Sequence, residues 1–170
     1  MLVRVGGAYG HPDNARRLLA AGHWVVCYPG GAREALKRHA SDRYRLCWEV
    51  SRGFVRIAQE TGVPIIPFAA AGVDDTFDVC GAVEGSGKLL MGHPKYDLPR
   101  LSSGNYGLPR AVPFLFRFGD PVDLARELDD APAGEDAAIR HAHRRIWHRA
   151  QRHLDETVAA WHGRFAKDAA

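Results

Sequence analysis

No run of apolar residues in this chain is long enough to cross a bilayer as a helix. The longest, Val63 to Ala71, has nine residues and contains two prolines, whereas a spanning helix needs about 20. The three cysteines, Cys27, Cys47 and Cys80, are odd in number and lack metal-ligand spacing. They read as free thiols of a reducing compartment rather than as a disulfide framework. A secretory leader is also missing, since the opening MLVRVGGAYG soon reaches His11-Pro12-Asp13-Asn14. Charge is nearly balanced, at a formal +3, and no nucleic-acid motif accompanies it. The glycine pair at 30 and 31 is closed by neither Gly-Lys-Ser nor Gly-Lys-Thr, so it is not a P-loop. The third glycine of a dinucleotide fingerprint is absent too.

What is present centres on WVVCYPGGARE, residues 24 to 34. The apolar stretch from Trp24 reads as a buried strand with Cys27 inside it, and Pro29 ends the strand because it cannot donate to a ladder. Gly30 and Gly31 permit a tight turn beside a ligand, and Arg33 leaves that turn as a fork of donors suited to phosphate or carboxylate. An ordinary surface turn followed by a solvated arginine fits the same residues. With 170 residues, 46% hydrophobic and 25% charged, the chain is long enough for one domain with a sizeable core.

Around this stretch the pattern alternates. A short helix starts at Asp13 or Asn14 and stops at Gly22, while Arg33 to His39 makes a helical turn. Ser51 caps a helix over GFVRIAQET that Gly62 closes, and a strand follows over IIPFAA. This β-loop-α-β order predicts an α/β fold: a single domain with a mostly parallel central sheet flanked by helices. Trp24 to Tyr28 and Ile65 to Ala70 are its expected neighbouring buried strands. Asp74, Asp75 and Asp78 are too irregularly spaced to demand a metal. The Gly- and Pro-rich segment 85–110 reads as a long loop or broken strand, and Ala111 to Phe118 as a returning strand. A terminal amphipathic helix at about 135–166 carries an apolar stripe of Ile139, Ala142, Ile146, Ala150, Leu154, Val158, Trp161 and Phe165. Its five histidines read as a solvated face. Its arginines, Arg140, Arg144, Arg145, Arg149 and Arg152, suit an anionic membrane surface better than a DNA groove.

The segments YPGGAREALK at 28–37, RGFVRIAQETGVPIIPFAAAGVDD at 52–75 and FRFGDPVDL at 116–124, in that order, resemble the lysophospholipid and diacylglycerol acyltransferase superfamily. The resemblance runs from about Ala8 to the last helix, making residues 1–170 a partial domain of that kind. It implies transfer of an acyl group, from acyl-CoA or acyl carrier protein as donor substrate, to a lipid hydroxyl in phospholipid or glycerolipid biosynthesis. No cofactor or metal is implied. The implied location is cytoplasmic, peripheral to the inner face of the cell membrane. The family motif often reads Phe-Pro-Glu-Gly-Thr-Arg-Ser. Here Tyr28 and Pro29 match its start, Gly30 replaces Glu, Gly31 matches, Ala32 replaces Thr, Arg33 matches and Glu34 replaces Ser. By resemblance Gly30, Gly31, Arg33 and Glu34 form the substrate-binding site, with Arg33 orienting the acceptor. Glu34 either braces Arg33, binds an acceptor hydroxyl, or caps or pairs at the start of the next helix. The Gly-Gly-Ala-Arg-Glu form resembles branches acting on neutral acceptors such as acylglycerols or long-chain alcohols.

The family's His-x4-Asp motif, in which histidine deprotonates the acceptor and aspartate orients the imidazole, is missing. None of the nine histidines has an aspartate five positions downstream. The motif normally precedes the region equivalent to Ala8, so the expectation is a domain truncated at its amino terminus, with no catalytic residue assigned in this chain. Three readings stay open: an acyltransferase recorded from too late a start, an inactive lipid or acyl-CoA binding homologue, and a regulatory protein of the membrane surface. His11 and His93 are the candidate replacement bases, and neither has a carboxylate partner defined by sequence.

Overall fold

The computed structural model describes residues 6–48, 50–102 and 108–165. Positions 103–107 of the 85–110 segment and Ala166 of the terminal helix lie outside the described residues. The chain packs as two compact units. The first contains the described residues up to Pro29, Val50–Ile65 and Pro121–Ile146; the second contains Gly30–Glu49, Ile66–Asp120 and the chain from Trp147 onward.

The first unit is built from helices. Helix α1, Pro12–Ala20, starts where the His11 side chain accepts from the Asp13 N–H at 3.3 Å. Proline in its first turn donates nothing, so no helical hydrogen bond is lost there. Helix α3, Gly53–Thr61, ends at Gly62, whose φ of 68° is the left-handed conformation that closes helices. Helix α1 packs on α3, and α3 on α5, Leu124–Asp129. Val55, Ala58, Val122, Leu124, Ile139, Ala142 and Ile146 form the buried centre, each of the larger ones contributing about 1.5–3 kcal/mol. Arg16 bridges α1 to α3 through Glu60 at 2.7 Å. Ile65 and Val122 meet in one antiparallel bridge.

The second unit holds helix α2, Ala32–Ala35, and two small sheets. Strand β1, Phe68–Ala71, pairs with β4, Leu115–Phe118, in the register Phe68 to Phe118 and Ala71 to Leu115. Strand β2, Asp78–Ala82, pairs with β3, Pro99–Ser102. Between β2 and β3 lie helix α4, Ser86–Met91, and a single 3₁₀ turn, Pro94–Tyr96. The predicted loop thus has a defined structure where it is described. Ala69, Ala71, Ala150, Leu154, Thr157 and Trp161 are buried in this unit. Helix α6, Glu135–Phe165, contributes to both units.

Both sheets are antiparallel, which overturns the mostly parallel central sheet expected from the strand-helix-strand order. The physical reason lies at Trp24 to Tyr28. That stretch forms no strand; Trp24 is 85% and Tyr28 71% exposed, and Cys27 is exposed rather than buried. An apolar run becomes a strand only when a neighbour accepts from its N–H groups and donates to its C=O groups, and no strand pairs with this stretch among the described residues. The second expected strand is also shorter than predicted. Pro64 and Pro67 cannot donate to a ladder, so β1 begins at Phe68, and it takes the returning strand as its antiparallel neighbour. The histidine face departs from expectation as well. His143 is buried with its ring 5.9 Å from Phe54, and His153 bonds the Arg117 carbonyl at 3.2 Å.

Candidate functional site

Gly31 precedes α2 with φ 53° and ψ −134°, a backbone conformation essentially confined to glycine. The turn therefore delivers Arg33 and Glu34 on one short helical turn, bonded from Arg33 N to Gly30 O at 3.2 Å and from Ala35 N to Gly31 O at 3.1 Å. Arg33 is exposed on α2, and Glu34 is half-buried. The Glu34 carboxylate accepts the Cys47 N–H at 3.1 Å and the Trp48 indole N–H at 3.4 Å. It folds back over Gly30 so closely that a Cβ on Gly30 would fall 2.2–2.5 Å from its Cγ, Cδ and Oε2. All four predicted site residues thus lie in one turn, and the Glu34 carboxylate is held by donors 13 and 14 positions further along the chain.

Segment 44–48, which Glu34 holds, is fixed from its other side by α6. Gln151 donates to the Tyr44 carbonyl at 2.9 Å and accepts from Leu46 N–H at 3.0 Å; Trp147 donates to the Leu46 carbonyl at 3.2 Å. Tyr44 itself has φ 56°. Its hydroxyl donates to Asp75 and accepts Gly72 N–H at 2.7 Å, while its own N–H reaches Asp74 at 2.7 Å. Burial, then the hydrogen bond to Asp75, pushes the Tyr44 phenol well above its ordinary pKa, because the nearby carboxylates and low polarity disfavour a phenolate.

The three aspartates that follow β1 are matched by three cations. Lys37 pairs with Asp74, Arg43 with Asp75 at 3.0 Å and Asp78 at 3.1 Å, and Arg110 with Asp78. The Arg110 hydrogen bond is the main reason the Asp78 carboxyl sits below its usual range. These carboxylates therefore anchor the chain leaving α2 onto the turn after β1. Among the described residues no group of three or more His, Cys, Asp or Glu side chains is arranged to hold a metal. Tyr44, Gln151 and Arg110 were not singled out from sequence. Their partners lie 28 to 107 positions away, and no local spacing signals such contacts.

A depression of about 210 Å³ in the first unit is lined by Leu19, Ala20, Thr61 and Val63 and contains none of the four predicted residues. His11 and His93 are both spent locally, each accepting a backbone N–H two residues on, at 3.3 and 3.0 Å respectively. No described helix is long and apolar enough to cross a membrane.

A family profile described as diacylglycerol acyltransferase matches residues 13–91. Phytyl ester synthase 2, chloroplastic, of Arabidopsis thaliana is 31% identical over 160 residues, covering 80% of this chain and 22% of that protein. Phytyl ester synthase 1, chloroplastic, of the same plant is 40% identical over 74 residues, covering 43% of this chain and 10% of that protein. A human protein named DGAT1/2-independent enzyme synthesizing storage lipids is 33% identical over 73 residues, covering 43% of this chain and 22% of that protein. The chain therefore spans less than a quarter of the length of these relatives. No solved structure matches. The profile match contains the Gly-Gly-Ala-Arg-Glu turn and the helix-to-β1 stretch just described, and together these likenesses support membership of the chain in the lysophospholipid and diacylglycerol acyltransferase superfamily.

Proposed function

We propose that this chain forms part of an enzyme that transfers a fatty acyl group from acyl-CoA or acyl carrier protein to the hydroxyl of a neutral lipid acceptor at a membrane surface. The reading is supported by the likeness to phytyl ester synthase 2 across most of the chain, together with the turn that gathers Gly30, Gly31, Arg33 and Glu34. In this reading Arg33 orients the acceptor or the developing oxyanion with its planar fork of donors. The two glycines let substrate approach the backbone, and Glu34 fixes the turn against Cys47 and Trp48. The base that takes the acceptor proton is not assigned to a residue of this chain. Its arginine-rich α6 favours an anionic membrane surface.

A second reading, an inactive binding homologue, is favoured by the lack of any His-x4-Asp in the sequence. General-base catalysis contributes roughly 10²–10⁴-fold, so a chain without such a base would bind acyl donor and acceptor yet turn over very slowly. The test supplies radiolabelled acyl-CoA or acyl carrier protein and a panel of diacylglycerol, long-chain alcohol and lysophosphatidate. It compares residues 1–170 with the product extended by the codons preceding Met1 in the gene. Ester formed by the extended product, and reduced by Arg33→Ala, supports the enzyme reading. Donor binding without ester in both forms supports the homologue. Neither binding nor ester in either form would reject both.

A further inference from the structure

Helix α4 carries the longest contiguous row of exposed large aliphatic side chains among the described residues: Leu89 is 84% exposed, Leu90 63% and Met91 65%. The helix is nevertheless pinned. Gly87 is buried against the Pro94–Tyr96 turn so tightly that a Cβ would lie 2.3 Å from Asp97 N and 2.4 Å from the Tyr96 carbonyl carbon. Its N–H donates to the buried Asp97 carboxylate at 2.7 Å, and its carbonyl accepts His93 N–H at 3.2 Å. The Ser86 hydroxyl donates to the Val83 carbonyl at 2.6 Å and accepts Leu98 N–H at 2.9 Å. Gly92, at φ 75°, stops the helix immediately after Met91. A strapped platform thus holds three apolar side chains out in water. Folding gains nothing from their exposure, and the platform has no other evident use for them.

The charges around this tip are mainly positive. Lys88 is on the helix; Lys95 stands over the Tyr96 ring at 4.8 Å; and Arg38 donates to the Pro94 carbonyl at 2.8 Å. Glu84 is the one acidic residue in the stretch from 84 to 96. An apolar tip ringed by cations matches the two layers of an anionic lipid surface: acyl chains for the tip and headgroups for the cations. The same Pro94–Tyr96 turn also packs against α2, which bears Arg33 and Glu34. We propose that Leu89, Leu90 and Met91 insert into an anionic bilayer while Lys88 and Lys95 meet its headgroups, seating the Arg33 turn beside the lipid phase. The inference rests on the membrane-surface part of the proposed function and does not require this chain to catalyse acyl transfer.

The test uses the full chain with sucrose-loaded vesicles of phosphatidylcholine, alone or mixed with phosphatidylserine. Sedimentation with the mixed vesicles should be salt-sensitive and should fall on the order of tenfold or more in a Leu89→Ser/Leu90→Ser/Met91→Ser variant. A Lys88→Glu/Lys95→Glu variant should lose the preference for phosphatidylserine. Circular dichroism checks that both variants fold. Independently, Leu90→Trp should add blue-shifted emission, quenched by brominated lipid, only with the mixed vesicles. Three outcomes overturn the proposal: a folded triple-serine variant that binds as the parent does, no change in the Leu90→Trp emission, or equal binding to neutral vesicles. Concentration-dependent dimers abolished by the triple-serine substitution, without vesicle binding, would also overturn it in favour of a second copy as the occupant. Because acyl transfer to detergent-dispersed acceptor is read separately, its loss or survival leaves the vesicle result interpretable.

Discussion

Replacing Gly72 by alanine should destabilise the second unit far more than a typical surface change. Gly72 has φ 91°, and a Cβ there would lie 2.2 Å from the Pro113 carbonyl oxygen, 3.0 Å from Trp161 Nε1 and 3.1 Å from Phe114 Cδ1. The nearest of these is backbone and cannot rotate away. Three contributions combine. The positive φ costs about 1–2 kcal/mol once a Cβ is present, and forcing the contact costs about 1–3 kcal/mol. Displacing Pro113 or Trp161 also strains the 2.7 Å hydrogen bond from the Trp161 indole to the Pro113 carbonyl, worth about 1 kcal/mol. The expected loss is therefore about 3–6 kcal/mol. Gly62→Ala is the matched control: its φ is 68°, but no atom lies within 4 Å of the added Cβ, so only the conformational cost of about 1–2 kcal/mol remains. Urea titrations followed by circular dichroism and tryptophan fluorescence would measure both. If the two substitutions cost the same, the close approach of Pro113 to Gly72 is wrong and the docking of α6 through Trp161 must be redrawn.

Other expectations follow from the polar contacts. Tyr44→Phe removes the acceptor of the buried Gly72 N–H and the donor to Asp75, so urea stability should fall by about 1–3 kcal/mol. Glu34→Ala removes the carboxylate that accepts from Cys47 N and the Trp48 indole; Trp48 emission should shift to the red and proteolysis should become faster at 44–48. On titration with acid, stability should decline as pH falls below the ordinary 3.8 of an aspartate. The Asp78 carboxyl has a depressed folded pKa, so its contribution is present above the unfolded value and lost as pH falls through the folded one. Asp78→Asn should flatten that part of the pH profile. The Tyr44 phenol shifts the other way; its contribution is complete below its unfolded value of 10.0 and is lost as pH rises beyond it, and Tyr44→Phe removes that alkaline dependence.

Some local sequence signals were legible, although the expected Ser51 cap was not among them: α3 is preceded by Arg52, and no described side chain caps it. Gly62 closes α3 as its position at the end of an apolar pattern implied, and six of the eight stripe residues of α6 are buried: Ile139, Ala142, Ile146, Ala150, Leu154 and Trp161. Strand direction and partner were not legible. Trp24 to Tyr28 has the apolar content of a central strand, but content does not supply a ladder. The prolines at 64 and 67 delay β1, and the residue that pairs with Phe68 lies 50 positions further on. The histidines misled for a related reason. A period along a helix shows which residues share a face, while the aromatic contact that buries His143 comes from Phe54 on α3.

The candidate turn lies between these cases, and its geometry explains a departure that sequence alone leaves bare. Relative to the motif that the chain resembles, a glutamate is lost at 30 and one appears at 34. Read residue by residue, these are two unrelated substitutions. In the folded chain they occupy one place, because the Glu34 side chain lies where a side chain on Gly30 would have to go. A carboxylate therefore still stands beside the glycine turn, now anchored to Cys47 N and the Trp48 indole. The physical consequence is a coupling: a side chain at 30 and the folded-back Glu34 exclude each other. Gly30→Ala should push Glu34 off both donors, and pairing it with Glu34→Ser should relieve the clash without restoring the two hydrogen bonds to the carboxylate. A double-mutant cycle in urea stability then separates exclusion from lost hydrogen bonds. Coupling of less than about 0.5 kcal/mol would mean that Glu34 moves aside at no cost and that the two positions vary independently.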